Sequence, residues 1–417
     1  MVTAARIEAT ASTAADRVLG GFARAFAWFT ARPWWQQVGI VWALGRVFSV
    51  LVVLTVARMQ AENPWSPVRP GYFEYIDGWD AGWYHKIYDE GYPSPLPRDA
   101  EGHVETNQWA FYPMLPGLSR LVHAVTGVDF RYSAPIIATI ASLALCLVLF
   151  RLFSTRATAP VALTAVALFS FQPAAPILQF GYGESLGMLL LVGIFLLVLQ
   201  HRYYAAVPLV LVMSVTRPMA APLALTLLLL GIGWFMRRDR EPVDARRWWG
   251  LGVLTAVSGL ATFVWPAVAA VTTGELTAYF QTEGAWRGDE HPLPGQLWFN
   301  IGIRLFGRPF GLLAPILFGL GLVVVMATRT VRRLGALMYL WTAVYLFYLL
   351  GTIAPNGSLF RLMMPTFPLF LAASMASSSK AYRTALIIGS MVAQIVWVAW
   401  LWHWSGVGLH GARESNP

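Results

Sequence analysis

Residues 38–56 read VGIVWALGRVFSVLVVLTV, and residues 72–92 read YFEYIDGWDAGWYHKIYDEGY. The first is an apolar run close to the roughly 20 residues a helix needs to cross hydrocarbon. The second follows it and has the opposite character. It holds Glu74, Asp77, Asp80, Asp89 and Glu90, the pair His85-Lys86 and a dense set of aromatics. An acid-bearing, aromatic segment set against a membrane span is where the chemistry of such a chain is expected. The rest then reads as a frame that holds it at one membrane surface.

The chain around this stretch supports that reading. Of its 417 residues only 12% are charged, about half the level of a soluble domain. Runs at 38–56, 133–153, 162–177, 185–199, 204–215, 220–236, 251–271, 312–327, 336–351, 360–376 and 385–401 are almost free of charge. They predict an all-α polytopic membrane protein with about eleven transmembrane helices. A β-barrel would alternate apolar and polar residues, and these runs do not. The formal charge of +9 marks cytoplasmic loops rather than nucleic-acid binding. Cys146 is the sole cysteine, so no intramolecular disulfide forms. No cleavable signal is legible before the first span, which reads as a signal anchor.

The basic loops set the expected topology. Residues 1–35 carry Arg6, Arg17, Arg24 and Arg32 and read as a cytoplasmic amphipathic segment ahead of a single transmembrane domain over 36–403. Segments 151–156, 201–203, 237–247, 329–333 and 380–383 are basic and are placed in the cytoplasm. Residues 58–132 then form one long external loop, provided that 109–125 does not cross. Pro113, Pro116, Arg120 and His123 interrupt that stretch, which favours interfacial helices. Residues 272–310 form a second external loop, and 404–417 read as a disordered tail. By this parity Asp80, Glu184, Arg217 and Arg361 converge on the extracytoplasmic side of a cell membrane.

Each of these residues has more than one reading. Trp79, Trp83 and Ile87 recur at helical spacing, with Tyr84 and Tyr88 alongside, a face suited to the headgroup region. Asp80 stands at the start of that helix, as a cap or as a base at the membrane surface. Asp77 is a second acid, a metal ligand or the actual cap. Phe111, Tyr112 and Pro113 make a rigid turn or the wall of a lipid groove. Glu184 in QFGYGESL caps a helix or binds a sugar hydroxyl. Arg217 in VTRPM pairs with Glu184 or contacts phosphate, which a guanidinium suits. Arg361 in SLFRLMMP snorkels to headgroups or supplies a second phosphate contact. Asp289, Glu290 and His291 make a solvated or acceptor-contacting loop more readily than a metal site, since consecutive residues rarely converge on one ion.

Taken together, WDAGWYHKIYDEGY (79–92), AFYPMLPGL (110–118), GYGESL (181–186) and TRP (216–218) resemble the GPI mannosyltransferase 2 (PIG-V) family and its bacterial relatives, among the GT-C membrane glycosyltransferases. The likeness covers roughly the first 220 residues, and LFRLMMPTFPLF (359–370) resembles the family's later Arg-and-Pro segment. Tyr112 stands where the family's aromatic pair has its second Phe. The resemblance implies a GT-C-type fold and transfer of mannose from polyprenyl-phosphate mannose to a lipid-linked or glycan acceptor outside the cytoplasm, by inverting single displacement. It places Asp80 as the loop carboxylate acting as base, with Asp77 as its competitor. Trp79, His85, Lys86, Tyr112, Glu184, Arg217 and Arg361 are the expected substrate-binding residues. No cofactor is required, and metal dependence is a matter for assay with a chelator. A transferase for another polyprenyl-linked sugar is the nearest rival. A lipid flippase is disfavoured by the absence of repeats around a midplane site, and a scaffold subunit by the gathering of charges on one face.

Overall fold

The computed structural model describes residues 20–21, 23–287, 293–353 and 355–404. Among them every regular element is a helix, as expected for backbone that must satisfy its own hydrogen bonds in lipid. Five helices are long and apolar enough to cross a membrane, and six shorter ones are equally apolar. Five and six make eleven, and each apolar run of the sequence has become one of them. The chain is an all-α polytopic membrane protein.

The helices that matter for the site are α1 (Trp34–Ala57), α2 (Asp80–Glu90), α3 (Met114–Thr126), α4 (Phe130–Phe153), α5 (Ala159–Phe171) and α6 (Glu184–Leu199). They continue with α7 (Tyr203–Met213), α8 (Ala220–Met236), α9 (Ala245–Ala261), α10 (Val264–Thr273) and α11 (Ala278–Ala285). Beyond these come α12 (Gln296–Phe306), α13 (Phe310–Ala327), α14 (Ala336–Thr352), α15 (Pro368–Met375) and α16 (Lys380–Val396). The stretch 109–125 is not one continuous helix. A 3-10 turn at Gln108–Ala110 leads into α3, because Pro113 and Pro116 offer no N–H to a continuous helix and suit only its first turn.

Two breaks in apolar sequence bring polar groups inward. α5 stops at Phe171, and a 3-10 turn follows at Ala175–Gln179. Arg46 of α1, only 5% exposed, donates to the carbonyls freed there: Nη1 to Ala175 O at 2.6 Å and Nη2 to Ser170 O at 3.0 Å. A guanidinium is thereby spent on helix-end carbonyls, where a cation is favoured. Gly45 lets α1 come this close, since a Cβ there would lie 2.8 Å from Ser170 O. The second break divides 359–375 into a helical turn, a 3-10 turn at Met364–Thr366 and α15. Tyr345 Oη donates to Leu362 O and Trp341 Nε1 to Pro365 O, both from α14.

The residues that face lipid are recognisable by contrast. α13 buries only Gly311 and exposes Phe310, Leu313, Leu317, Val323 and Val324, a helix hydrophobic on all sides. The expected N-terminal and C-terminal segments lie largely outside the described residues, as do Asp289, Glu290 and His291. Helix is present over 23–30, with Arg32 stacked 4.3 Å from the Trp28 ring.

Candidate functional site

The stretch 72–92 is not one helix. α2 begins at Asp80, and Trp79 before it has φ 56 and ψ −127, a conformation that costs a bulky residue about 1–3 kcal/mol. Trp79 is therefore not part of the helical face expected from its spacing to Trp83 and Ile87. Its ring packs instead on Trp402 and Trp404, at centroid distances of 6.4 and 5.3 Å. Asp80 does not cap the helix with its side chain. The first free N–H of α2, that of Asp80, donates to Tyr182 Oη at 3.2 Å.

Freed from capping, the Asp80 carboxylate accepts from Arg361 Nη1. Arg361 is 7% exposed and passes the contact on. Its Nε lies 3.5 Å from Glu184 Oε1, and Arg217 Nη2 lies 3.2 Å from the same oxygen. Asp80, Arg361, Glu184 and Arg217, drawn from four separate segments, thus form one chain of alternating charge. Parity alone had placed these four on one side. A buried ion survives only beside its opposite, and here each has one.

The chain is unusual at Glu184. Both its oxygens and Arg361 Nε lack a hydrogen bond of good geometry, although both guanidiniums are within ion-pair distance. Glu184 is thus held by Coulomb attraction, at the first turn of α6 where a carboxylate is favoured, with acceptor capacity to spare. Arg217 lies flat against α6 because of two glycines. A Cβ at Gly187 would meet Arg217 Cγ at 2.7 Å, and one at Gly183 would meet Tyr84 Oη at 3.2 Å and Arg217 Cδ at 3.5 Å. The Tyr182 ring sits 5.3 Å beneath the Arg361 guanidinium.

Two cavities flank this chain. One, of about 350 Å³, is lined by Asp80, Arg361, Trp79 and the aromatics Trp65, Trp83 and Trp286. The other, of about 570 Å³, is lined by Arg217, Tyr112 and a mainly apolar wall that includes Ala221, Phe263 and Phe280. Glu283, Arg287 and Ile353 border both. Between them, a recess of about 70 Å³ reaches Glu184, Arg217 and Arg361.

Asp77 and its neighbours form a different cluster. His85 Nδ1 donates to Asp77 Oδ2 at 2.9 Å, and Arg131 Nε to the same oxygen at 3.2 Å. That hydrogen bond to Asp77 raises the His85 pKa above its usual value, against the opposing effect of burial. The imidazole also stacks on Phe130 at 4.8 Å. Lys86 pairs with Glu90 at 3.9 Å and lies 5.5 Å from the Trp83 ring. The expectation that His85 and Lys86 face the same site as Asp80 is corrected. They stand about 140° and 240° round the helix from Asp80. Residues one turn on, Trp83 and Tyr84, share its side instead.

Five contributors escaped the sequence reading: Tyr182, Tyr84, Glu283, Arg287 and Trp65. Tyr182 had a signal, since it lies within the GYGESL segment already singled out. Trp65 had a fainter one in Gly78 and Gly82, which bed its indole: a Cβ at Gly82 would meet the ring at 2.7 Å. Glu283 and Arg287 had the faint signal of an i, i+4 pair, but nothing local ties Glu283 to Arg217 in the α7–α8 turn. Among the described residues no group of His, Cys, Asp or Glu is arranged to hold a metal ion.

No protein-family model matches the chain, and no curated protein matches it. Among solved structures it is similar to the oligosaccharyltransferase AglB of Archaeoglobus fulgidus, in complex with an inhibitory peptide and a dolichol-phosphate. The TM-score is 0.49 at 14% identity, over 88% of this chain and 56% of that one. It is similar also to an oligosaccharyltransferase of Archaeoglobus fulgidus in complex with Zn and sulfate. There the TM-score is 0.36 at 15% identity, over 86% of this chain and 48% of that one. The chain spans about half the length of the solved structures it matches. The likeness is distant, and the fold and site described above stand on this chain's own helices and contacts.

Proposed function

We propose that this protein is a GT-C-type membrane glycosyltransferase that moves mannose from polyprenyl-phosphate mannose to a lipid-linked or other extracytoplasmic acceptor, with inversion. The observation that carries the reading is the pair of cavities joined at one charge chain, with Asp80 at the wall of the first and Arg217 at the wall of the second. A polar, aromatic chamber suits an acceptor hydroxyl. An apolar chamber with a cation suits a phosphate carrying a prenyl tail.

In this reading Asp80 accepts the proton of the acceptor hydroxyl as its oxygen bonds to the sugar C1. The C1–phosphate bond breaks on the opposite face, and its electrons leave on the phosphate. General base catalysis of this kind contributes typically about 10²–10⁴-fold. Arg361, paired with Asp80, keeps that carboxylate aimed at the cavity. Arg217 offsets the charge that gathers on the leaving phosphate, as fixed donors do most effectively in a water-poor site. Phosphate is a stable leaving group, so no second carboxylate is needed as acid. Asp77, with its carboxylate taken by His85 and Arg131, borders neither cavity and is not the base. The extracytoplasmic placement, the membrane it occupies and the division into loops 58–132 and 272–310 belong to the same proposal.

The test is transfer by the purified protein in detergent, given radiolabelled polyprenyl-phosphate mannose and a membrane lipid extract. A mannosylated lipid that disappears in Asp80→Asn supports the reading. Transfer from another polyprenyl-linked sugar with none from mannose would replace mannose in it, and no transfer from any such donor would end it.

A further inference from the structure

The two cavities meet at a pair of side chains that the reaction above leaves without a role. Glu283 of α11 and Arg287 one turn beyond it border both chambers. Arg287 Nη2 donates to Glu283 Oε2 at 3.1 Å. The described groups that act on Glu283 come from every element packed around it. They are Tyr279 and Arg287 on its own side, Tyr112 ahead of α3, Arg217 in the α7–α8 turn and Tyr348 of α14. Tyr112 and Tyr279 touch through their hydroxyls at 3.3 Å.

The polar groups of an otherwise apolar chamber are therefore gathered around one carboxylate. They comprise two guanidiniums, Arg217 and Arg287, and three phenols, while the remaining hydroxyls, of Ser214 and Thr262, are bonded to backbone carbonyls. Arg217 already has Glu184 behind it. Arg287 has only Glu283 among the described residues, and its side chain is 40% exposed toward the space a ligand would take. An anion entering beside Glu283 would meet a like charge, which disfavours the ionised carboxyl.

We propose that Arg287 is a second cation for the phosphodiester of the lipid donor, and that the anion displaces Glu283 from it while Glu283 takes up a proton. The proposal rests on the donor reading above. Its balance is simple: one proton moves from solvent to the Glu283 carboxylate, and one ion pair replaces another. Burial already raises the Glu283 pKa above its usual value, against the pull of Arg287. Losing Arg287 to the phosphate removes that pull, so donor binding itself supplies the drive for protonation. The neutral carboxyl then becomes a donor to the same phosphate.

The experiment measures binding and needs no turnover. The full chain in detergent is titrated near pH 7 with the methyl phosphodiester of a C20 prenol, and separately with the prenol. The diester does not titrate near neutrality, so calorimetry in buffers of different ionisation heat reads protons taken up by the protein. Wild type is expected to prefer the diester and to take up as much as about one proton per site. Glu283→Gln is expected to bind without uptake. Arg287→Ala is expected to bind the diester about tenfold to a hundredfold more weakly, with prenol binding unchanged as the control for folding, and Arg287→Lys to recover part of the loss. Diester binding unchanged in Arg287→Ala, or uptake unchanged in Glu283→Gln, overturns the proposal and leaves the donor reading standing. A wild type that does not prefer diester over prenol overturns both.

Discussion

Asp77 and Asp80 are three residues apart and have opposite surroundings. On a continuous helix such a pair would be neighbours on one face. Here the left-handed backbone of Trp79 divides them. Asp77 turns to His85 of α2 and Arg131 of α4, and both its oxygens are engaged. Asp80 turns to a single guanidinium, that of Arg361, at the wall of a cavity. One carboxylate ties the loop to a span. The other is aimed by one guanidinium and open to a ligand. The comparison teaches that the number of acids in a motif says little, and that the number of lone pairs left unused says more.

The hardest test of this contrast is catalytic. Asp80→Asn should lower kcat for sugar transfer by about 10²–10⁴-fold, a loss that persists well below its unfolding midpoint, which falls because Arg361 then keeps only Glu184. Asp77→Asn should cost less than about tenfold in rate, since it only loosens the loop. Reversed effects would move the base to Asp77. Next comes the interior of the charge chain. Glu184→Gln leaves Arg217 and Arg361 facing one another without their shared anion. Breaking a buried pair costs about 3–5 kcal/mol, with the lower end expected because Arg361 keeps Asp80. A lowered unfolding midpoint checks it.

A smaller effect is expected at Gly187→Ala, whose Cβ would collide with Arg217 Cγ and Met219 Cε at 2.7 and 2.9 Å. Overpacking of this kind costs about 1–3 kcal/mol, and the displaced guanidinium should raise the donor KM more than it lowers kcat. The smallest is on the Asp77 side and depends on pH. The folded pKa of His85 is raised by Asp77, so its stabilising contribution is complete below about pH 6.5, the unfolded value. It is lost as pH rises through the folded value. Wild type should lose up to about 1 kcal/mol between pH 6 and pH 8 relative to Asp77→Asn. Parallel melting curves for the two proteins over that range would remove the His85–Asp77 bond from the account.

Much of this molecule was legible beforehand because a bilayer leaves few choices. Apolar runs must become helices, and the prolines at 113 and 116 mark where α3 starts. The polar misfits Asp80, Glu184, Arg217 and Arg361 had to find one another, since each is costly alone. Arg46 shows where that logic is incomplete. It lies inside an apolar run and was passed over, yet its two terminal nitrogens are bound by carbonyls at and just beyond the end of α5 rather than by an acid. Backbone acceptors leave no mark in a sequence. His85 and Lys86 show the converse, because adjacency to Asp80 in the chain placed them on other faces of the helix.

The sequence by itself determined the class of the protein, its eleven apolar helices and the identity of the charges that had to pair. These follow from composition and period, which act residue by residue. Only the tertiary structure decided which acid faces the cavity, that α2 follows a strained Trp79 with no side-chain cap, and that Glu283 and Arg287 stand where the two chambers meet. Those outcomes depend on a single strained dihedral and on contacts between segments as far apart as Asp80 and Arg361. Such contacts are selected by the packing of the whole bundle, and no local pattern carries them.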